Sequence, residues 1–237
     1  VIAVLTLTGL WVSLPSFAVD VPEGGRTIEK DTDGNGIIDQ TAVYDKGGTL
    51  LCVRLDSDGD GRPERCQYYE KGVLSRIEQD RDGDGLPEVF DYFEDGRRHR
   101  QERRDALERV VQIVIFNENE QPLSMKKDTT ASGFFDQVYA FEKGLPVRMT
   151  QDTDENGTVN VRVNYSAGQP VFKSVDDDGD GRPEMEIDYD DQAQPLQSRH
   201  DQDKDGAFEV VRFFEKGELI RQETDRDLDG RPDRVIR

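Results

Sequence analysis

Residues 80–96 read Asp80-Arg81-Asp82-Gly83-Asp84-Gly85-Leu86-Pro87-Glu88-Val89-Phe90-Asp91-Tyr92-Phe93-Glu94-Asp95-Gly96. The first nine residues are an acidic loop of the form D-x-D-x-D-G-x-x-E. Val89 to Phe93 form a strand-like run, too short and too rich in β-branched and aromatic residues for a helix. Asp95-Gly96 is the kind of x-Gly pair that joins hairpin strands, and Lys71-Gly72, Lys143-Gly144 and Lys216-Gly217 recur in its place. A return strand, such as Val73-Leu74-Ser75-Arg76-Ile77, then leads into the next acidic loop.

Working outward from this unit, the loop glycines Gly36, Gly61, Gly85, Gly133, Gly157, Gly181, Gly206 and Gly230 fall at intervals of 25, 24, 48, 24, 24, 25 and 24. The interval of 48 holds a degenerate copy centred on Arg109, which places Arg104, Ala106, Glu108 and Gln112 at the acidic positions. The chain therefore reads as nine copies over residues 28–237. Self-similarity of this kind marks an array in which each copy covers its neighbour. The expected fold is all-β: tandem 24-residue hairpins in a long antiparallel meander, forming either a curved single-layer sheet or superhelix, or a closed barrel. An aromatic recurs five positions after the last loop carboxylate, at Tyr44, Tyr69, Phe93, Phe141, Tyr165, Tyr189 and Phe214. The expectation is a stacked ladder forming the core, rather than a carbohydrate-binding strip.

The loops carry the chemistry. Calcium takes 6–8 oxygen ligands from carboxylates, carbonyls and water. Acidic residues at positions 1, 3 and 5 converge on one point, glycine at position 6 allows the sharp turn, and a carboxylate at position 9 closes the shell. Six copies supply this set: Asp31, Asp33, Asn35 and Asp39; Asp56, Asp58, Asp60 and Glu64; Asp80, Asp82, Asp84 and Glu88; Asp176, Asp178, Asp180 and Glu184; Asp201, Asp203, Asp205 and Glu209; and Asp225, Asp227, Asp229 and Asp233. A seventh, Asp152, Asp154, Asn156 and Asn160, has fewer charges and a weaker expected affinity. Asp128, Thr130, Ser132 and Asp136 retain a remnant of the pattern. Asp-Gly pairs alone make good turns, but turn chemistry does not call for three or four carboxylates on one spot, where they repel without a cation.

These loops resemble the start of an EF-hand calcium loop and depart from it twice. Position 12, a bidentate Glu in EF-hands, holds Ala42, Gln67, Asp91, Ile187 and Arg212, and position 8 is Pro63, Pro87, Pro183 and Pro232 in four copies. Proline fixes an extended exit and removes an amide donor, so a strand rather than a helix follows. The loops are more similar to those of FG-GAP propeller repeats and thrombospondin type 3-like repeats. That resemblance covers the loop and first strand only, and it implies calcium binding in an extracellular setting.

Composition agrees. Lys and Arg total 31 against 51 Asp and Glu, for a net charge of −20, and apolar residues make up 34%. Such a chain tends to stay unfolded unless a counter-charge enters the folded state. Six divalent ions would bring −20 to −8, and a seventh to −6. The acidity excludes general nucleic-acid binding, which needs a basic surface. Val1 to Leu14 is uncharged and mostly apolar, followed by Pro15, Ser16, Phe17 and Ala18. This reads as a secretory signal over residues 1–18 without its basic n-region, too short for a membrane span. Residues 19–27 are then a linker, and the mature chain is expected to be extracellular, surface-bound or periplasmic, with no transmembrane span. Cys52 and Cys66 flank one loop on neighbouring expected strands. Both a bracing disulfide, worth roughly 3 kcal/mol, and two buried thiols remain open.

Arg97-Arg98-His99-Arg100-Gln101-Glu102-Arg103-Arg104 is a basic run in this acidic chain. It reads either as an anion site or as arginines standing in for calcium beside the flanking loops. His99 and His200 lie in no nucleophile or zinc motif, and the loop carboxylates read as ligands rather than acid/base pairs, so the chain is not expected to be an enzyme. The expected role is a calcium-stabilised structural or adhesive scaffold. The alternatives are a module holding a surface glycan, an anion or a protein partner, and an extracytoplasmic calcium buffer or sensor.

Overall fold

The computed structural model describes residues 20–237, so the expected signal segment lies outside the described residues. Eighteen antiparallel strands follow one another in a single meandering sheet, each paired with its neighbours in sequence. Among the described residues no pairing joins the first strand to the last, and the sheet is not closed into a barrel. There are no helices among the described residues, hence none long and apolar enough to cross a membrane. The chain divides into two compact units, one running to Gly96 and including Arg104–Glu108, the other comprising Arg97–Arg103 and Arg109–Arg237.

The first unit holds β1 (Arg26–Lys30), β2 (Gln40–Tyr44), β3 (Leu50–Leu55), β4 (Arg65–Glu70), β5 (Val73–Gln79) and β6 (Val89–Glu94). The second holds most of β7 (Arg97–Arg104), then β8 (Val110–Phe116), β9 (Pro122–Lys127), β10 (Gln137–Glu142), β11 (Leu145–Gln151), β12 (Val161–Ser166), β13 (Gln169–Val175), β14 (Met185–Tyr189), β15 (Pro195–His200), β16 (Val210–Glu215), β17 (Glu218–Thr224) and β18 (Arg234–Ile236). In each unit the acidic loops close one end of the strands and the hairpin turns the other.

The turns explain the period. Lys71-Gly72 and Lys216-Gly217 have both residues at positive φ, 52° and 80° in the first and 51° and 80° in the second. This is the type I′ geometry whose twist matches a two-residue hairpin. Where the interval lengthens to 25, the turn widens around a carboxylate: Asp45 Oδ1 accepts the Thr49 amide at 2.8 Å, and Asp190 Oδ1 accepts those of Gln192 and Gln194 at 2.9 and 2.8 Å. The degenerate copy has the same wide turn at Asn117–Gln121 but a loop one residue shorter. The Asp128 amide donates to the Val111 carbonyl, as the Asp80 amide does to Glu64. Val111, not Gln112, therefore occupies the closing position of that copy.

The core lies in rows beside the loops. In the second unit Met149, Val161 and Val163 form a buried cluster flanked by Tyr139, Tyr165 and Val175. In the first, register places Val53, Ile77 and Val89 on one face and Val43, Cys52, Cys66 and Phe90 on the other, all buried. The recurring aromatics flank these rows and are half-buried. Tyr44, Tyr69, Phe141, Tyr165, Tyr189 and Phe214 each sit at a register shift, with one extra residue, such as Ser75 or Val147, in the return strand opposite. A bulge bends its strand and raises the twist, so the aromatic position marks a kink beside the core rather than the core itself.

Cys52 lies opposite Tyr68, and Cys66 opposite Arg54, so the two thiols are diagonal neighbours on one face, and both are free. Burial, with the Glu78 carboxylate second, pushes the Cys66 thiol up to about 12. A thiolate is the reactive form. Ellman's reagent should therefore leave both cysteines unmodified in the folded protein and titrate two thiols after denaturation; rapid labelling of the native state would contradict this packing. Beside them, Glu78 is 3% exposed. Burial raises its pKa, opposed by the Tyr68 hydroxyl, which donates at 2.8 Å, and by Arg76 at 3.0 Å.

The basic run is engaged within the sheet. The Arg98 guanidinium lies 4.2 Å from the Phe116 ring centroid and that of Arg104 lies 4.0 Å from Phe90, while Arg100 pairs with Glu102. Ring faces and a carboxylate two residues along the same strand thus take these arginines.

Candidate metal centre

Every acidic loop folds by the same rule: its carboxylates accept the loop's own amides. In the loop 56–64, Asp56 Oδ1 accepts the Gly59 amide and Oδ2 the Gly61 amide, both at 2.9 Å. Asp58 Oδ1 accepts from Asp60 at 3.1 Å, Asp60 Oδ1 from Arg62 at 2.7 Å, and Glu64 Oε2 from Ser57 at 2.7 Å. Positions 3, 5 and 9 each spend one oxygen in this way and keep the other. The loop is thus preorganised by its backbone, and the second oxygens of Asp58 and Glu64 are left to converge beside Asp56.

Among the described residues six sets bring carboxylate oxygens within 4.8 Å of one another, five of them in the loops named next. Asp80, Asp82, Asp84 and Glu88 form one, and Asp201, Asp203, Asp205 and Glu209 another; three-membered sets comprise Asp31, Asp33 and Asp39; Asp56, Asp58 and Glu64; and Asp176, Asp178 and Glu184. Asp60 and Asp180 fall outside their sets and accept the Arg62 and Arg182 amides, each at 2.7 Å. Asn35 is tied to its own loop, donating to Asp33 Oδ2 at 3.0 Å and accepting from Ile37 at 2.7 Å. These groupings could hold a metal ion. The donors are hard oxygens, which suit a hard cation such as those of group 2.

The outlying loops differ as their residues require. Asn160, 2% exposed, spends Oδ1 on the Thr153 amide and hydroxyl at 2.7 and 3.0 Å, and its Nδ2 donates to the Asp176 carbonyl at 3.4 Å. It closes the loop of Asp152, Asp154 and Asn156 as a structural brace rather than a charged ligand. In the last loop Asp225, Asp227, Asp229 and Asp233 accept the amides of Gly230, Asp229, Arg231 and Arg226. The remnant at Asp128 and Asp136 keeps the same frame, with Asp136 taken up by Thr129 and Gln151.

Loop amides also set the charge state. The Gly36 amide, ahead of the opposing effect of burial, holds the Asp31 carboxyl below its ordinary value, and the Thr32 hydroxyl does the same for Asp39. Glu88 shifts the other way, raised by burial and, more weakly, by Asp82 and Asp80 beside it. A bound cation would relieve that crowding.

Contacts between successive loops are invisible in the repeat pattern. Arg62 Nη1 donates to the Asp84 carbonyl at 3.4 Å, and Arg182 Nη1 to that of Asp205 at 3.0 Å. Gly206 has φ +94°, and a Cβ there would lie 2.7 Å from Arg182 Cδ. This glycine thus answers both to backbone conformation and to the arginine crossing over it.

No protein-family model matches the chain, and no curated protein matches it. Among solved structures, accessory secretory protein 1, 2 and 3 of Streptococcus pneumoniae is 15% identical over 48% of this chain and 20% of that one, with a TM-score of 0.36. The GtfA/B complex bound to UDP and GlcNAc is 10% identical over 56% of this chain and 25% of that one, at 0.29. The TcdB2-TccC3-Cdc42 structure is 12% identical over 86% of this chain and 14% of that one, at 0.26. The chain thus spans a quarter or less of the length of these proteins, and likeness at this level carries nothing about activity.

Proposed function

We propose that this is an exported calcium-binding repeat protein whose loops take about six or seven calcium ions and whose sheet acts as a calcium-stabilised structural or adhesive scaffold. The observation that carries the reading is Glu209. It is 7% exposed, its Oε2 accepts the Gln202 amide at 2.8 Å, and its Oε1 is buried with no hydrogen-bond partner beside Asp201, Asp203 and Asp205. A buried carboxylate oxygen without a partner carries a desolvation cost that a cation removes. Glu64 Oε1 and Asp225 Oδ1 repeat the pattern in two further loops.

Calcium suits the sets better than magnesium, which prefers to keep several of its waters. Export rests on the apolar residues 1–18. The carboxylates are ligands in this reading, and the protein binds and supports rather than catalyses.

Calcium titrated calorimetrically into EDTA-stripped protein should show six or seven ions bound, with a gain of β signal in circular dichroism. No heat and no spectral change would reduce the loops to turns and end the proposal.

A further inference from the structure

Lys204 stands at the fourth position of the loop 201–209, with φ 65°. That position is glycine at Gly34, Gly59, Gly83 and Gly179, all at positive φ. Ala131, Glu155 and Leu228 also hold it at positive φ in three other loops, so backbone conformation does not single out the lysine; its contacts do. Nζ reaches back to the preceding loop and lies 3.3 Å from Glu184 Oε1 and 3.5 Å from Asp178 Oδ2.

Comparison with equivalent glutamates identifies the place it occupies. Glu184 Oε2 accepts the Asp177 amide at 2.6 Å, just as Glu64 Oε2 accepts that of Ser57 and Glu209 Oε2 that of Gln202. In Glu64 and Glu209 the other oxygen is buried without a partner. In Glu184 that oxygen faces the ammonium. The next loop supplies a positive charge where its sister loops leave an oxygen open. The fourth position projects backwards elsewhere too: Glu155 Oε1 accepts the hydroxyls of Thr130 and Ser132, at 2.6 and 2.9 Å, in the loop before it.

We propose that the Lys204 ammonium is a built-in counter-ion of the loop 176–184, so that calcium enters that loop only by displacing it and one repeat sets the affinity of its neighbour. This rests on the calcium reading of the loops. Displacement is sterically open, because the lysine side chain is 49% exposed and can swing into water. Until it leaves, it neutralises part of the charge that would attract the ion.

The test is calcium calorimetry on the stripped full chain, comparing the parent with Lys204→Gly and Lys204→Met. Both variants should tighten one site by about tenfold or more, within the usual range of site-to-site coupling, and leave the others unchanged. The gain should vanish when Glu184→Gln is added. Tightening in the glycine variant alone would trace the effect to backbone strain and overturn the proposal. Calcium isotherms identical in parent and both variants would make Lys204 an ordinary surface pair and overturn it while the calcium reading stands. No calcium binding in any of them would overturn both.

Discussion

Treated with EDTA, the protein should lose its thermal transition or melt roughly 30 °C or more below the calcium-loaded form, at 2–4 °C per kcal/mol for a chain of this size. An ion present at a hundred times its Kd contributes about 2.7 kcal/mol. Six such ions exceed the roughly 5–15 kcal/mol that holds an ordinary domain. The apolar side offers little to offset their loss, since among the described residues buried hydrophobic side chains are few and mostly valines. The net charge of −20 then acts without its counter-ions. Differential scanning calorimetry with and without chelator measures the difference, and superimposed traces would mean that the sheet stands without metal.

The second large effect is expected from Asp80→Ala. Asp80 is 4% exposed, with Oδ1 accepting the Gly83 amide at 2.8 Å and Oδ2 that of Gly85 at 2.7 Å. Hydrogen bonds to a charged group contribute about 1.5–3 kcal/mol each, so alanine should cost about 3 kcal/mol or more and lower the calcium count by one. Asp80→Asn keeps one acceptor and should fall between. Asp82 is exposed and accepts only the Asp84 amide at 3.2 Å, so Asp82→Ala should weaken the ion with far less effect on the apo fold. Urea unfolding of the three variants with and without calcium separates scaffold from ligand; an unchanged stoichiometry in Asp80→Ala would remove this loop from the metal sites.

Much of this architecture was legible in the residues because a meander keeps its partners close in sequence. The x-Gly turns and the 24-residue spacing place each strand beside the next, and the loop glycines mark where the chain must turn sharply. The barrel alternative could not be settled that way, since closure depends on the first and last strands. The aromatic ladder misled for a local reason: the bulge at Tyr69 or Tyr165 turns the chain at that residue, and spacing alone does not reveal an extra residue in the opposite strand. The same compensation hid Val111, because a loop one residue short and a turn one residue long leave the period unchanged. Lys204 was missed because its partners lie in another copy, and a repeat alignment compares equivalent positions rather than touching ones. The residue type gave no clear signal either, since the position is glycine in four copies and Ala131, Glu155 or Leu228 in three others.

The wide turns at Asp45 and Asp190 have a consequence for how such a chain can change over time. They absorb the odd residue of a 25-residue copy outside the paired strands, so the strands on either side keep their alternation. A one-residue slip within a strand would instead turn every later side chain to the opposite face. Insertions are thereby confined to places where they do no harm, and whole copies can be duplicated or deleted as cassettes without disturbing the faces of those that remain. Most cassettes bring their own acidic loop, so gain or loss of such a copy changes length and the number of carboxylate groupings together. Individual loops can meanwhile lack the full acidic set, as those at Asp128 and Arg104 do, while the hydrogen-bonded frame around them is kept.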